Sequence, residues 1–110
     1  MASPLNVFRT VTANLTTADT VLYTTPAGYT SVVLMAQISN VTNAAAQASF
    51  AHFDGTRETF LIKSFSIPGN DSAAATSGKL VIQTGQSVKA SANTNSTLQI
   101  TLSVLETLNG

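Results

Sequence analysis

Short apolar runs separated by turn-forming residues set the strongest limit on how this chain can fold. Runs rich in Val, Ile, Thr, Phe and Tyr recur about every ten to fifteen residues, and Gly, Pro, Asn or Asp closes each one. This spacing is typical of strands joined by tight connections, and no helix of ordinary length fits it. The pattern predicts eight strands, at residues 5–13, 19–25, 30–40, 46–53, 56–67, 77–84, 87–93 and 96–106.

Eight short, mostly antiparallel strands in 110 residues predict an all-β fold with a single domain over residues 1–110. The favoured architecture is a two-sheet antiparallel β-sandwich, either jelly-roll-like or Ig-like, with an eight-stranded barrel as the alternative. A chain of this length buries roughly two-thirds of the surface of its unfolded form, which is enough for one core.

Two of the predicted strands have informative patterns. In the last one, Leu98, Ile100, Leu102 and Val104 alternate with polar residues, which places one face on a core. Residues 31–38 are instead almost continuously apolar, as in a central strand covered on both sides, and the monomer need supply only one of those covers. The predicted core comprises Val7 or Phe8, Val21, Val33, Met35, Phe50, Leu61, Phe65, Leu80, Ile82, Val88, Leu98, Ile100, Leu102 and Val104.

The connections also carry signals. Asp54-Gly55 is a pair that tolerates positive φ in a type I′ turn, so residues 46–53 and 56–67 are predicted to form a hairpin. The alanine-rich runs at 43–46 and 72–77 are too short for stable helices and are interpreted as loops.

Charge and cysteine content exclude several classes of function. Five basic and five acidic residues give zero formal net charge, and the basic positions 9, 57, 63, 79 and 89 form no cluster in sequence. Nucleic-acid affinity depends largely on such clusters, so no nucleic-acid partner is expected. Neutrality also weakens the repulsion between copies, which favours an assembly over a free monomer. Without cysteine, the chain has no disulfide, no thiolate nucleophile and no finger-type zinc site.

The sequence gives no sign of export or of membrane insertion. The first residues lack a basic stretch followed by an apolar run, and no stretch reaches eighteen apolar residues, so neither a signal peptide nor a spanning segment is expected. Sequons at Asn14, Asn40, Asn70 and Asn95 are attributed to a composition rich in Asn, Ser and Thr.

Any acid–base mechanism has to begin at His52, the only side chain that titrates near neutrality without special help. A catalytic interpretation pairs it with a serine and with Asp54 or Glu58, but the chain has no G-x-S-x-G elbow. A histidine at a strand end with a structural role is the favoured interpretation. We therefore expect no catalytic residues and a protein that is not an enzyme.

Metal and cofactor sites are equally weak in the sequence. One histidine and dispersed carboxylates at positions 19, 54, 58, 71 and 106 do not make a ligand set. Asp71 lies in a loop rich in oxygen donors that lacks the acidic repeat of a calcium loop. The glycines form no phosphate-binding pattern, so no cofactor and no metal are predicted.

Two groups of side chains suggest contacts with partners. Arg57, Glu58 and Lys63 flank the predicted hairpin turn, either as a solvated surface or as groups that pair with another subunit. Tyr23 and Tyr29 bracket the turn at Pro26 and could stack on a sugar. Packing at the rim of the core, with the hydroxyl outward, is favoured because two Tyr without a Trp make a poor carbohydrate platform.

The chain resembles small β-rich virion structural proteins of tailed phages of aquatic bacteria, including cyanophages. The segments that carry the resemblance are 21–41, 50–55, 65–68, 78–81 and 98–106. They correspond to a turn followed by an apolar strand, a hairpin, a loop with Pro, a Gly-Lys-Leu strand start and a terminal strand that ends in Leu-Glu.

The resemblance implies a multicopy, non-enzymatic building block of the virion, such as a capsid decoration (cement) protein or a neck or tail accessory. Its partners would be other virion proteins, either the major capsid protein or neck and tail proteins, and its location the virion after synthesis in the host cytoplasm. A closed homo-oligomer is expected, with a trimer ahead of a dimer. The alternative function is a carbohydrate-binding β-sandwich module for attachment to the host surface.

Overall fold

A computed structural model describes residues 5–109 as β-strands joined by turns and loops. The strands are β1 (Asn6–Asn14), β2 (Thr20–Thr24), β3 (Tyr29–Asn40), β4 (Ala46–Phe53), β5 (Glu58–Ile67), β6 (Ser72–Ala74), β7 (Leu80–Ile82), β8 (Ser87–Ala92) and β9 (Leu98–Leu108). Residues 5–109 contain no helix that is long and apolar enough to cross a bilayer.

The strands form two antiparallel sheets. Sheet A has the order β1-β9-β3, and both β6 and β7 pair with the far side of β3; sheet B has the order β2-β8-β4-β5. The chain crosses repeatedly between the sheets, and the strands nearest its two ends, β1 and β9, are neighbours. This order is that of a jelly roll whose sixth strand is interrupted. The predicted sandwich is confirmed in its jelly-roll form, and the barrel alternative is wrong.

The interrupted strand is the main departure from the predicted elements. The prediction assigned residues 77–84 to one strand and 72–77 to a loop, whereas β6 pairs with Gln37–Ser39 and β7 pairs with Ser31–Val33. The Ser-Ala-Ala sequence of β6 lacks the β-branched and aromatic residues that mark a strand. Pairing with β3, a tertiary contact, therefore determines its conformation.

The core lies between the sheets and contains most of the predicted residues. Val33, Phe50, Ile82, Val88, Leu98, Ile100, Leu102 and Val104 are buried as predicted. Val7 and Leu80 are half-buried. Of the alternatives Val7 and Phe8, Val7 is the residue directed inward, and Phe8 is exposed. The predicted burial of four further residues is wrong: Val21, Met35, Leu61 and Phe65 are exposed.

The misplaced residues have two causes, since some lie on the outer face of a sheet and others belong to the irregular edge strand β5. Phe8 and Met35 lie on the outer face of sheet A, where Phe8 is 74% exposed. Leu61 and Phe65 belong to β5, whose pairing with β4 shifts register twice and whose Ser64 has a φ of 51°. These irregularities break the two-residue alternation on which the prediction relied.

The predicted hairpin is present, but its turn is longer than predicted. Phe53 pairs with Glu58, so four residues rather than two connect β4 and β5. Gly55 has a positive φ of 100°, whereas Asp54 does not have the positive φ that a type I′ turn requires. The Asp54 carboxylate instead accepts hydrogen bonds from the backbone N–H groups of Thr56 (2.9 Å) and Arg57 (2.7 Å). This side-chain capping stabilises the longer loop.

One end of the sandwich is held together by two closely packed loops. The Asn40 amide is buried and donates to the carbonyls of Ala44 (2.8 Å) and Ile67 (2.9 Å), so its sequon is not available for modification in the folded protein. Gly69 approaches the chain so closely that a Cβ atom at this position would lie 2.4 Å from the backbone carbon of Asn43. Only glycine fits this contact without a shift of the backbone.

Candidate assembly surfaces

An apolar row crosses the outer face of sheet A. Phe8 pairs with Leu105, Leu105 with Val32, and Val32 with Val81, so four strands contribute one residue each in register. We call these four residues the outer row. Its two ends are the most exposed members, since Phe8 is 74% and Val81 is 54% exposed. The side chains form a continuous apolar strip on a face that no other element among residues 5–109 covers.

Residues exposed on the outer side of β3 account for the almost continuous apolar pattern of residues 31–38. Val33, Ala36 and Ile38 face the core, whereas Val32 is half-buried and Leu34 and Met35 are exposed. The sequence thus correctly indicates two apolar faces on β3, and the protein itself covers one of them.

Apart from the apolar Met35, the rest of this outer face is mostly polar, and none of the described residues on it is charged. Cross-strand hydrogen bonds join its side chains: Gln99 donates to Asn14 (3.1 Å), Gln37 to Ser72 (2.9 Å) and Thr107 to Asn6 (3.2 Å). Side chains that already bond to one another have fewer hydrogen bonds with water to lose when a partner covers them. Lys, Arg, Asp and Glu are absent from this face over the described strands.

Sheet B presents a different outer face, which carries charge. Lys89 Nζ lies 3.2 Å from Asp19 Oδ2 and 3.8 Å from Glu58 Oε2, and it stands 4.8 Å from the centroid of the Phe53 ring. The neighbouring Asp19 carboxyl raises the pKa of Glu58, with partial burial as a smaller cause. The two faces of the sandwich therefore differ in charge, and the face without charge is the one with the outer row.

A buried polar network ties the two sheets together beneath the outer row. Glu106 continues the inward alternation of β9 and is 2% exposed. Its carboxylate accepts hydrogen bonds from the hydroxyl of Tyr23 in sheet B and, at 2.9 Å, from Nε of Arg9 in β1. The Tyr23 hydroxyl also lies 2.8 Å from Oγ of Ser31. Burial and the bond to Glu106 raise the pKa of Tyr23 to about 12.

Tyr23 and Tyr29 do not form a joint stacking surface. Tyr23 packs in the core as favoured, but its hydroxyl points inward to Glu106 and not outward as predicted. Tyr29 is half-buried at the start of β3, where its carbonyl accepts a hydrogen bond from the Thr84 hydroxyl. The sequence signal for the buried network was present, because Glu106 lies two residues beyond Val104 on the inward side.

Within residues 5–109, no hydrogen bond or ion pair joins His52 to a serine, to Asp54 or to Glu58. His52 Nε2 lies 3.0 Å from Oε1 of Gln86, a neutral amide. Asp54 serves the hairpin turn, where the backbone N–H groups of Arg57 and Thr56 lower its pKa, and Glu58 faces Asp19 and Lys89. Nε2 of His52, the atom that faces the nucleophile hydroxyl in a serine triad, is therefore paired with the side-chain amide of Gln86.

The predicted charged and metal-binding candidates have local roles. The Asp71 carboxylate accepts a hydrogen bond from the Ser72 N–H at 2.8 Å, within the loop. Within residues 5–109, no group of three or more His, Asp or Glu side chains is placed to hold a metal ion. Lys63 stands 4.8 Å from the centroid of the Phe60 ring on the outer side of β5.

Comparison with known proteins identifies similar folds. No protein-family model matches the sequence, and no curated protein matches it. A chain from the acid-stable capsid of the Helicobacter pylori bacteriophage KHP30 aligns with a TM-score of 0.61 and 11% identity, over 99% of this chain and 92% of that one. A protein of the disulfide-linked pili that form Bacillus endospore appendages aligns with a TM-score of 0.56 and 8% identity, over 94% of this chain and 88% of that one.

At these identities the likeness establishes a shared fold along almost the whole chain. The chain thus has the fold of a protein in a phage capsid and of a protein that polymerises into a pilus. The phage of the first structure infects Helicobacter pylori, so the aquatic-phage part of the resemblance gains no support from it.

Proposed function

We propose that this chain is a non-enzymatic structural protein of a bacteriophage virion that assembles through protein–protein contacts. The observation that carries the proposal is the uncharged outer face of sheet A, with its apolar row of four residues. Apolar patches with a polar rim mark protein–protein contact sites. The full-length likeness to a phage capsid chain supports the virion as the place of assembly.

Within the virion, we favour a capsid decoration (cement) protein over a neck or tail accessory. A decoration protein has to bind proteins of the capsid lattice with one part of its surface and expose another part to solvent. A small sandwich with one uncharged face suits that role, since it can dock the face on a neighbouring protein and expose the charged face of sheet B. The partner would be the major capsid protein, and the contact would bury Phe8 and Val81 at the two ends of the outer row.

Co-sedimentation with capsids tests this function. Purified chain is mixed with particles assembled from the major capsid protein encoded in the same genome, and the bound fraction is measured. Val81→Asp places a charge on the outer row and should abolish binding. Val21→Asp is the matched control, because Val21 is 49% exposed against 54% for Val81 but lies on sheet B beside Lys89; it should bind like the wild type.

The results separate the proposal from its alternative. Binding by the wild type and by Val21→Asp, but not by Val81→Asp, would support docking through sheet A. Because the contact lacks charge, high salt should weaken it only slightly. If the wild-type protein does not bind capsids but binds host-surface glycans, the carbohydrate-binding function replaces this proposal. The structure weakens that alternative, because Tyr23, one of the two tyrosines that could stack on a sugar, is buried.

A further inference from the structure

Strand β1 presents a long and regular open edge. Its pairing with β9 runs without a register shift from Asn6 to Asn14. Leu108 N–H donates to the Leu5 carbonyl at 2.8 Å, and Leu15 N–H donates to the Leu98 carbonyl at 2.9 Å, so the odd-numbered residues of this segment direct their backbone groups toward β9. The even-numbered residues direct theirs toward the open side. They are Asn6, Phe8, Thr10, Thr12 and Asn14, all exposed.

The other three sheet edges of the described chain each carry a feature that blocks strand addition. Strand β2 has five residues and a bulge between Val21 and Tyr23. Strand β5 has two register shifts and a positive φ at Ser64. The remaining edge of sheet A is divided between β6 and β7, with three residues each. Bulges and very short strands are common devices that prevent edge pairing.

Strand β1 lacks these devices. It is nine residues long, contains no proline, and has one charged residue, Arg9. The guanidinium of Arg9 is already paired with Glu106 at 2.9 Å, on the inner side of the sheet. The side chains next to the open backbone groups are Asn, Phe and Thr, and none of them opposes a second strand by charge.

We propose that β1 pairs with β1 of a second copy of the same chain, as an antiparallel two-fold dimer. The partner has to be the same strand, because a head-to-tail contact between copies would need a second regular edge and the described chain offers only this one. A two-fold axis also makes the contact closed, since both edges are consumed. Sheet A of the two copies would then become one continuous sheet.

The backbone pattern selects one register, with Thr10 on the two-fold axis. In this register Asn6 faces Asn14 of the partner subunit and Phe8 faces Thr12 of the partner subunit. All five open N–H groups of each copy then find a carbonyl acceptor. A shift that centres the pair on Arg9 would place two guanidinium groups opposite each other, which is unfavourable. A shift in the other direction would leave Asn6 without a partner.

The inference does not depend on the virion role, because the purified chain alone tests it. Sedimentation over a range of concentrations should show a dimer for the wild type. Thr10→Pro removes an N–H group that faces away from β9, a position that edge strands tolerate, so the monomer should still fold. The dimer should weaken by at least about tenfold, since two hydrogen bonds at the axis are lost. Thr10→Ala keeps the N–H and should keep the dimer.

Cysteine cross-linking tests the register and does not require Thr10→Pro to fold. The chain contains no cysteine, so Thr10→Cys introduces a single thiol per copy. Paired residues in a hydrogen-bonded position lie about 5.5 Å apart at Cα, which a disulfide can span. Thr10→Cys should form a covalent dimer on mild oxidation. Thr12→Cys, on the same strand and face, should not, because its two copies would be four residues out of register.

Several results would overturn the inference. They are a strictly monomeric wild type, a trimer, a dimer that Thr10→Pro leaves intact, and equal cross-linking at positions 10 and 12. None of these bears on whether sheet A docks on capsids, which the Val81→Asp comparison decides.

Discussion

The Tyr23 hydroxyl in β2 donates a hydrogen bond to the Glu106 carboxylate in β9, and this bond joins sheet B to sheet A inside the sandwich. A buried carboxylate needs such partners, because its desolvation is costly. Arg9 supplies the opposite charge from the edge strand and remains 53% exposed. The network therefore fixes β1, β3 and β9 of sheet A relative to β2 of sheet B.

Removal of the Tyr23 hydroxyl should measure the strength of this link. Tyr23→Phe leaves the ring in the core but deprives the Glu106 carboxylate of one donor. We expect a loss of about 1–2 kcal/mol in the free energy of unfolding, measured by urea titration. Ser31→Ala, which leaves both bonds to Glu106 in place, should cost less. A Tyr23→Phe protein as stable as the wild type would show that the bond contributes nothing net.

Alkaline pH should destabilise the wild type through the same residue. The folded protein raises the pKa of Tyr23 to about 12, whereas an unfolded tyrosine titrates near 10. The folded state therefore favours the protonated hydroxyl, and its contribution is complete below about pH 10 and declines as the pH rises toward 12. Urea titrations at pH 9 and pH 11.5 should show that the wild type loses about 1–2 kcal/mol more than Tyr23→Phe does.

Gly69→Ala should disrupt the loop contact at one end of the sandwich. The new Cβ would lie 2.4 Å from the Asn43 backbone carbon and 2.8 Å from the Ala44 nitrogen, so the backbone would have to move. We expect a destabilisation of at least about 2 kcal/mol in thermal or urea unfolding. Gly78→Ala is the control, since a Cβ there meets nothing within 4 Å; it should change stability by less than about 0.5 kcal/mol.

Ile100→Ala should create a cavity in the core. Ile100 is 1% exposed in the middle of β9, and its truncation should cost about 2–5 kcal/mol. Thr101→Ala changes the next residue, on the outer face, and should cost under about 0.5 kcal/mol. Differential scanning calorimetry of both variants provides the measurement. Equal melting temperatures would contradict the assigned faces of β9.

His52→Gln should leave both stability and capsid binding nearly unchanged. A glutamine can keep a hydrogen bond to Gln86, the partner of the imidazole at 3.0 Å. Far-UV circular dichroism and the co-sedimentation assay report on the two properties. A variant that folds but no longer binds capsids would show that His52 has a role that the proposed function does not include.

The sequence was sufficient for the fold class and for most of the core, because β9 alternates cleanly and its neighbours follow its register. It was insufficient for β1, where the alternation is ambiguous. Val7 and Phe8 are both apolar, and a charge at position 9 would ordinarily suggest that the odd residues face water. Which face of β1 points inward depends on Glu106, which lies 97 residues further along the chain and pairs with Arg9 on the inner side. A long-range pair of this kind is not visible in local periodicity.

The candidate surfaces were predictable only in part. The apolar pattern of residues 31–38 indicated a second apolar face on β3, but the outer row also needs Phe8, Leu105 and Val81, which register alone brings together. The open edge of β1 could not be recognised from the sequence at all. It depends on which strand lies at the border of each sheet, and therefore on topology.

The position of β9 has a consequence for the order in which the protein becomes competent to assemble. Residues 98–108 leave the ribosome after the other eight strands, yet they lie between β1 and β3 at the centre of sheet A. Before these residues insert, β1 lacks the strand with which it pairs, and the outer row lacks Leu105. A nascent or truncated chain would thus lack both surfaces that we propose for assembly, so the proposed contacts would select complete and folded copies.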